Sequence, residues 1–246
     1  MNIDGNTILI TGGGSGIGKA LATRFLARGN EVIVCGRRNE VLDGLKKQYP
    51  GVHTRNCDVA SGNERKELAE SVIREFPAIN VLVNNAGIQR HVDLTRETGW
   101  GITRSEVDTN LNAPINLCQL FYSHFAQKQS AAFINVTSGL SFVPLANVPI
   151  YCATKAALHS FTLSLRWQLK DSQIEVIEVI PPAVDTNLQA PGLHKFGANV
   201  DEFADHVFAE LEKGETEIAY GTAITASRAS REDLNIIFEH MNEAFH

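Results

Sequence analysis

The chain has 246 residues, of which 43% are hydrophobic, and a formal net charge of −6. This length allows one large α/β domain or two small ones, and the apolar share supports a sizeable core. The negative charge and the absence of a Lys/Arg run give no basis for a nucleic-acid partner or for binding to an anionic membrane surface.

The N-terminal segment MNIDGNTILIT has no basic region followed by a long apolar segment, so we expect no secretory signal. Nor does any apolar run approach the roughly 20 residues that span a bilayer. The four cysteines lie far apart, without CxxC spacing: Cys35, Cys57, Cys118 and Cys152. We expect them to be buried free thiols of a cytoplasmic protein rather than disulfides or ligands of a metal.

Short β-branched segments alternate with longer amphipathic segments along most of the chain. The predicted strands are 7–11, 31–35, 53–57, 79–84, 132–137, 174–180 and 216–220. The predicted helices include 17–28, 39–48, 62–76, about 103–128 and about 150–170. Strands that are apolar almost throughout are typical of parallel sheets covered on both faces. The pattern therefore predicts an α/β fold, a Rossmann-like, doubly wound parallel sheet of about seven strands with helices on both faces. With no linker and no repeat, we expect a single domain over 1–246.

The segment 183–199 is rich in Pro, Gly and Asn and has no clear period. It follows the carboxyl end of a predicted strand, where open α/β sheets bind ligands. Two interpretations stay open, a mobile substrate lid and a plain surface connection.

The glycine-rich stretch GGGSGIGKA (12–20) fits two kinds of phosphate site. As a P-loop it has Gly13, Gly18 and Lys19, but Ala20 lacks the hydroxyl that binds magnesium. The standard G-x-G-x-x-G pattern fits in no register either. The spacing T-G-x-x-x-G-x-G from Thr11 does fit, as a strand end that leads through a turn into a helix whose N-terminus attracts phosphate.

Further motifs follow in order after this turn: CDV at 57–59, NNAG at 84–87, Asn110 in VDTNLNAP, Ser138 in INVTSG, YCATK at 151–155 and PPAVDT at 181–186. In these motifs and their spacing, the chain resembles the short-chain dehydrogenase/reductase family up to about residue 221. The family usually has Pro-Gly where this chain has Pro181-Pro182. The Pro-Pro loop and the chain's ending are similar to a branch of the family found near D-alanyl lipoteichoic acid genes.

Tyr151 and Lys155 are four residues apart on a predicted helix, so they share one face, about 6 Å apart along the axis. A nearby ammonium favours phenolate, so we expect Lys155, together with a bound oxidised nicotinamide, to lower the pKa of Tyr151. The resemblance implies hydride transfer, with Tyr151 as general acid/base and Ser138 donating a hydrogen bond to the substrate oxygen. It also implies that Asn110 anchors a water that relays protons to Lys155. Alternatively, Asn110 only interrupts its helix by bonding its own backbone.

The resemblance also implies a dinucleotide site. Asp58 would bind the adenine amine, although an Asp that caps a turn is an alternative. Asn84 would brace the central strands, Ala86 and Gly87 would leave room for the ribose, and Thr186 would bind the nicotinamide carboxamide. The full predicted cofactor set is Gly12, Ser15, Gly16, Ile17, Gly18, Arg37, Arg38, Asp58, Val59, Asn84, Ala86, Gly87, Tyr151, Lys155, Pro181, Val184 and Thr186. No metal ligands are predicted.

The end of the second predicted strand distinguishes the two nicotinamide cofactors. An NAD enzyme places Asp or Glu there to bind the ribose 2′-hydroxyl. This chain has Gly36, Arg37 and Arg38 instead, and a guanidinium suits a 2′-phosphate. The sequence predicts NADP, with NAD as the alternative cofactor and an ordinary solvated arginine pair as the alternative role of the two residues.

We expect a small, mostly apolar ketone, aldehyde or secondary alcohol as substrate. The positions predicted to face it are Gln89, Arg90, His91, Leu140, Phe142, Val143, Val148 and the 183–196 segment. Two alternatives remain, a non-catalytic NADP-binding sensor or regulator and a lyase or epimerase that uses the nucleotide transiently.

The C-terminal tail, about 230–245, is predicted to be an amphipathic helix that begins at SREDL. Its apolar side chains must pack on this subunit or on another: Leu234, Ile237, Phe238, Met241 and Phe245. The resemblance implies a homo-oligomer, a dimer or tetramer, formed through the 103–128 and 150–170 helices.

Overall fold

The computed structural model describes residues 1–97, 99–186, 188 and 195–244. Seven parallel strands form one sheet in the order β3-β2-β1-β4-β5-β6-β7. The strands are β1 (Thr7–Thr11), β2 (Glu31–Gly36), β3 (Val52–Asn56), β4 (Ile79–Asn84), β5 (Ala131–Val136), β6 (Ile174–Ile180) and β7 (Glu217–Ala219). The sequence-based prediction of a doubly wound parallel sheet is confirmed.

Helices cover both faces of the sheet. They are α1 (Gly16–Ala27), α2 (Asn39–Gln48), α3 (Gly62–Glu75), α4 (Trp100–Val107), α5 (Ala113–Phe125), α6 (Pro149–Gln168), α7 (Val200–Glu212), α8 (Thr222–Arg228) and α9 (Arg231–Glu243). Alternate strand residues point to opposite faces, so Ile8 and Ile10 of β1 pack in one core with Phe25, while Leu9 packs in the other with Phe121. Both faces of the central strands are thereby buried.

The predicted helix at about 103–128 is divided in the structure. A π-helical turn, Asp108–Asn112, separates α4 from α5. Pro114 has no N–H to donate to the carbonyl of residue 110, four positions earlier, so regular α-helical bonding cannot continue through this point. Single π-turns inside helices frequently occur at functional sites.

The two C-terminal helices lie beside the carboxyl end of the sheet. Helix α9 has no fully buried residue, and Leu234, Ile237 and Met241 are only half-buried. Phe245 and part of the 183–199 segment lie outside the described residues. Among the residues that are described, no helix is both long enough and apolar enough to cross a membrane.

Candidate active site

A deep cleft opens at the carboxyl ends of the strands, where the strand order reverses between β1 and β4. Open α/β sheets bind their ligands at this point. The cleft has a volume of about 690 Å³, which is within the range of small-molecule and cofactor sites. Most of the predicted cofactor residues line it: Gly12, Ser15, Gly16, Ile17, Gly18, Arg37, Arg38, Asp58, Val59, Ala86, Gly87, Tyr151, Lys155, Pro181 and Thr186.

Glycines shape the turn after β1 and the start of α1. Gly12 has a φ of 66°, a left-handed conformation that glycine adopts without strain. A Cβ on Gly18 would lie 2.5 Å from the carbonyl oxygen of Gly12, so α1 packs directly on the turn. Ser15 is the N-cap of α1, but its side chain makes no capping hydrogen bond. The N-terminal N–H groups of α1 are therefore open to an anion in the cleft.

Asn85 fixes this turn against β4, a role that the sequence analysis missed. Its Nδ2 donates to the carbonyl oxygens of Thr11 (2.9 Å) and Gly12 (3.3 Å). In return, Oγ1 of Thr11 accepts from the backbone N–H groups of Asn85 and Ala86, at 3.0 Å each. The second Asn of NNAG was the available signal for this role, but the sequence analysis assigned a role only to the first, Asn84.

Two arginines at the end of β2 border the cleft. Arg37 has a side chain that is 54% exposed, and its Nη1 lies 3.8 Å from Oδ2 of Asp58. Nη2 of Arg38 donates to Oγ of Ser15 at 3.4 Å. Exposed contacts of this length contribute little, so both guanidinium groups can turn toward an incoming anion. Oδ1 of Asp58 also accepts from the N–H of Ala60 (3.0 Å), which is the turn-capping contact given above as an alternative role.

Tyr151 and Ser138 meet where the cleft passes between β5 and α6. Both are buried, with Ser138 two residues after the end of β5 and Tyr151 in the first turn of α6. Oγ of Ser138 accepts from the N–H of Leu140 (3.1 Å), which fixes the hydroxyl at the head of a 3₁₀ turn. The structure therefore brings a hydroxyl donor and a phenol together beside one cavity.

Lys155 lies one turn along α6 from Tyr151 and is only 4% exposed. Its Nζ is 5.6 Å from the centre of the Tyr151 ring and donates to the carbonyl oxygen of Val136 at 2.7 Å. Burial disfavours a charged amine and lowers the pKa of Lys155 to about 8, while the charge of Glu178 acts against this shift.

The expectation that Lys155 lowers the pKa of Tyr151 is wrong for the chain by itself. Burial raises the pKa of the Tyr151 phenol well above its ordinary value, because phenolate is poorly solvated there. The neighbouring Ser138 side chain acts against this shift, and the charge of Glu106 adds to it. The phenol is therefore held in its protonated form.

Asn110 is fully buried in the π-helical turn and reaches across to the irregular segment that follows β4. Its Oδ1 accepts from the N–H of Ile88 (2.8 Å), and its Nδ2 donates to the carbonyl oxygen of Ile88 (2.8 Å) and to Oγ1 of Thr154 (3.2 Å). The alternative in which its side chain bonds only its own backbone is therefore wrong. A Cβ on Gly87 would lie 3.5 Å from Oδ1 of Asn110 and 3.7 Å from Nζ of Lys155, which shows that the two residues flank the same turn.

The family model of the short chain dehydrogenases matches residues 6–195, which include the glycine turn, Asn110, Ser138, Tyr151 and Lys155. The chain belongs to the short-chain dehydrogenase/reductase family. It is 45% identical over 248 residues to a protein of Bacillus subtilis named uncharacterized oxidoreductase DltE, with 98% of each chain covered. The resemblance to the branch associated with D-alanyl lipoteichoic acid genes is thereby confirmed.

Two further comparisons place this short-chain dehydrogenase in the family. It is 30% identical over 178 residues to the NADP-dependent 3-hydroxy acid dehydrogenase YdfG of Salmonella typhi, with 72% of each chain covered. A short chain dehydrogenase of Burkholderia cenocepacia, solved in complex with NADP, superposes with a TM-score of 0.84 at 27% identity, over 97% of this chain and 99% of that one. Fold and family therefore agree over nearly the whole chain.

Two predicted cofactor residues of this short-chain dehydrogenase do not line the cleft. Asn84 is buried and donates from Nδ2 to Oδ1 of Asn135 (2.9 Å), which joins β4 to β5 as the bracing role requires. Val184 packs in the core on the α1 side of the sheet and forms an isolated parallel bridge with Ala198. Thr186 does line the cleft, and its methyl group lies beside Gly16.

The predicted substrate positions divide in the same way. Gln89, Arg90 and His91 line the cleft. Val143 and Val148 are buried instead, and Val148 packs with Tyr151 and Cys152.

The predicted free thiols are confirmed, since all four cysteines are buried and form no disulfide. No cluster of metal-ligating side chains occurs among the described residues.

Two fully buried carboxylates near the site escaped the sequence analysis. Glu106 lies on α4, four residues before Asn110, and burial raises its pKa to about 7. Glu178 lies inside β6 and contacts His159 of α6. The sequence does indicate that Glu178 is unusual, because a second Glu in IEVIEVI interrupts an otherwise apolar strand. Its partner His159 is not indicated by the sequence.

Proposed function

We propose that this oxidoreductase transfers a hydride between NADP(H) and a small, mostly apolar ketone, aldehyde or secondary alcohol, with Tyr151 as the general acid/base. The observation that carries the proposal is that Tyr151 and Lys155 line one end of a cleft that begins at the glycine turn, with Ser138 beside Tyr151 and Asn110 near Lys155 across Gly87. Nucleotide binding alone does not require a buried phenol beside a buried amine.

The residues of the cleft fit a phosphorylated dinucleotide. The open N–H groups at the start of α1 suit a pyrophosphate, and the exposed guanidinium groups of Arg37 and Arg38 suit a 2′-phosphate. The relatives support the same choice, since YdfG is named NADP-dependent and the Burkholderia cenocepacia enzyme was solved with NADP. When bound, the reduced cofactor supplies the hydride.

Tyr151 is in the protonated state that carbonyl reduction requires. At neutral pH its hydroxyl is protonated, so it can give a proton to a carbonyl oxygen that gains negative charge during reduction. Ser138, held beside it, donates a hydrogen bond to the same oxygen and stabilises the developing charge. Oxidation of an alcohol instead requires phenolate, which burial disfavours in the chain without its cofactor.

Lys155 and Asn110 return a proton to Tyr151 after it has protonated the substrate oxygen. The Lys155 ammonium lies beside the phenol ring and binds the ribose hydroxyls of the cofactor in this proposal. Asn110 positions a water for it, because its π-helical turn leaves a backbone carbonyl without its regular helical partner. Protons then pass from solvent toward the phenol.

An apolar surface beside Tyr151 supports an apolar substrate. Leu140, Leu145 and Leu188 pack around the buried cluster that contains Tyr151 and Val148. Polar side chains enter the cleft on its other wall, from Gln89 to His91. We infer a substrate with a modest apolar body and its carbonyl directed at Tyr151.

The experiment is a panel of carbonyls and alcohols assayed with both coenzymes, with the wild type and Tyr151→Phe side by side. We expect NADPH-dependent turnover by the wild type, and a loss of about 10²-fold or more in kcat for Tyr151→Phe with NADPH binding retained. Binding without turnover in both proteins would favour the non-catalytic sensor. Conversion of a substrate without net consumption of NADPH would favour the lyase or epimerase.

We also propose that the enzyme is a cytoplasmic homo-oligomer. Three large apolar side chains on the outer faces of α5 and α6 are exposed to solvent: Trp167 (71%), Tyr122 (47%) and Leu163 (43%). Exposed aromatic and aliphatic side chains on α5 and α6 favour burial of these helices against a second copy. Free buried thiols are typical of a reducing compartment.

A further inference from the structure

A carboxylate is buried in the central layer of the protein, behind the catalytic residues. Glu178 of β6 is 0% exposed and lies between Asn135 of β5 and Glu217 of β7 in the sheet register. Its Oε1 accepts from Oγ1 of Thr137 at 2.6 Å, and Nδ1 of His159 lies 3.0 Å from Oε1 and 2.9 Å from Oε2. A charge buried this deeply is costly unless it is paired and hydrogen-bonded, so these contacts account for its retention.

The same stretch of backbone holds the catalytic amine. Nζ of Lys155 donates to the carbonyl of Val136, and the next residue, Thr137, donates to Glu178. His159 lies one helical turn beyond Lys155 on α6, on the same face of that helix. Glu178 is thus anchored on both sides to the elements that place Lys155.

Lys155 has little else to stabilise its charge. The amine is buried and donates to one neutral carbonyl. Burial lowers its pKa, and Glu178 is the charged group that raises it again. In a low-dielectric interior, one charge at this position has a large effect on the protonation of its neighbour.

We propose that Glu178 is a positioning residue whose buried negative charge keeps Lys155 protonated, and that His159 sets how much of that charge Lys155 experiences. The inference rests on the role that the proposed function gives to Lys155. The effect of Glu178 on the protonation of Lys155 is a property of the chain itself and requires no bound ligand.

The groups around His159 define the pH response. Glu178 raises the pKa of His159 through its hydrogen bond, Glu217 of β7 raises it further, and burial and Arg166 of α6 act against this shift. While His159 is protonated it neutralises part of the Glu178 charge. As it loses its proton with rising pH, that charge acts more fully on Lys155 and keeps the amine charged.

The pair also reaches the loop after Ser138. The ring of Phe142 packs edge-on against His159, with 4.7 Å between ring centres and 62° between planes. Phe142 follows the 3₁₀ turn that carries Ser138. His159 therefore connects the charge behind Lys155 with the loop that borders the substrate.

The decisive experiment measures the pKa of Lys155 directly, by NMR titration of the full chain labelled with ¹³C at the lysine ε-carbons. The Lys155 signal is assigned by its loss in Lys155→Met. In Glu178→Gln, whose amide oxygen still accepts from Thr137, we expect the pKa of Lys155 to fall by about one unit. The matched control is Glu215→Gln, which removes an exposed charge just before β7 and leaves the Lys155 value unchanged, because water screens it and it is not among the groups that act on His159 or Lys155.

A second variant separates charge from packing. His159→Asn keeps a donor near Glu178 but removes the positive charge, so we expect the pKa of Lys155 to rise. An unchanged value in Glu178→Gln, or a fall in both variants, overturns the proposal. If Glu178→Gln fails to fold, His159→Asn decides the matter: a rise supports the proposal, and a fall or an unchanged value overturns it.

This titration needs no substrate, so its result is independent of whether the proposed reaction occurs. A wild type without turnover would remove the proposed function while the Lys155 shift could still be observed. If the wild type turns over substrate, the alkaline limb of the kcat/KM profile moves to lower pH in Glu178→Gln. The size of this displacement equals the measured fall in the pKa of Lys155.

Discussion

We propose that two side chains at the end of β2 select the nicotinamide cofactor that this chain binds. Arg37 is more than half exposed and makes only a 3.8 Å contact with Asp58, while Arg38 makes a 3.4 Å contact with Ser15. Neither guanidinium is committed to a strong partner. Both are available to a 2′-phosphate, and a 2′-hydroxyl finds no dedicated acceptor from β2.

We expect Arg37→Asp to lower kcat/KM for NADPH by about 10- to 100-fold and to raise the preference for NADH, since it removes a charge-assisted hydrogen bond and adds repulsion. Steady-state kinetics with both coenzymes measures the ratio. The control is Lys46→Asp, which reverses an exposed charge in the last turn of α2 without touching the cleft. A ratio that stays at the wild-type value would mean that the arginines do not select the cofactor.

The pKa of Lys155 predicts a pH dependence. Burial lowers this pKa to about 8, so the amine is protonated below that value and neutral above it. If the reaction uses the charged amine, kcat/KM for carbonyl reduction falls about tenfold per unit as the pH rises beyond about 8. A pH profile of kcat/KM at saturating NADPH measures this limb. A flat profile to one unit above that pH would contradict the role of Lys155.

At the scale of elements, α9 is hydrogen-bonded to the loop between Ser138 and Tyr151. Oδ1 of Asn242 accepts from the N–H of Ala146 (2.6 Å), and its Nδ2 donates to the carbonyl oxygen of Pro144 (3.1 Å). These contacts join the last turn of α9 to the stretch between Ser138 and Tyr151. We propose that the C-terminal helix orders the loop on the substrate side of the site.

We expect Asn242→Ala to raise KM for the carbonyl substrate by about 5- to 10-fold, because two hydrogen bonds that order the loop are lost. The Kd for NADPH should stay unchanged, because no residue of α9 lines the described part of the cleft. Asn235→Ala on the exposed face of the same helix is the control. A parallel change in both constants would show that α9 supports the whole fold rather than this loop.

The bounds of the strands and helices show which parts of the fold can be predicted from the sequence. Strands β1, β4 and β6 begin and end at the predicted residues, because runs of apolar β-branched residues between turn signals have few alternatives. The division of the 103–128 helix was missed although Pro114 was visible, because Pro is also tolerated in the first turn of a helix. The roles of Glu178 and His159 could not be predicted, since their contact joins a strand to a helix 19 residues away.

Local chemistry misled the sequence analysis at Tyr151. Spacing places an ammonium near the phenol, and the structure confirms that the two groups are neighbours. The sign of the pKa shift, however, depends on burial, which a local motif does not reveal. The fold was thus accessible from periodicity and motifs, while the electrostatics of the site required the packed structure.

At the scale of the whole molecule, the exposed side chains on α5 and α6 predict an assembly. We expect the wild type to sediment as a dimer or tetramer, and the double variant Leu163→Glu, Trp167→Glu to sediment as a smaller species, because charges would be buried at the interface. Analytical ultracentrifugation distinguishes these states. Trp100→Glu, at a residue equally exposed (74%) but located on α4, should leave the assembly intact. A wild type that sediments as a monomer would exclude this interface.

The most direct test of the account is a crystal structure of the full chain with NADPH, in which one distance is measured, that between Nζ of Lys155 and the nicotinamide ribose hydroxyls. We predict about 3 Å, with the nicotinamide ring against Tyr151 and the 2′-phosphate at Arg37 and Arg38. A complex in which the amine contacts no part of the cofactor and the ring lies away from Tyr151 would contradict the proposed function.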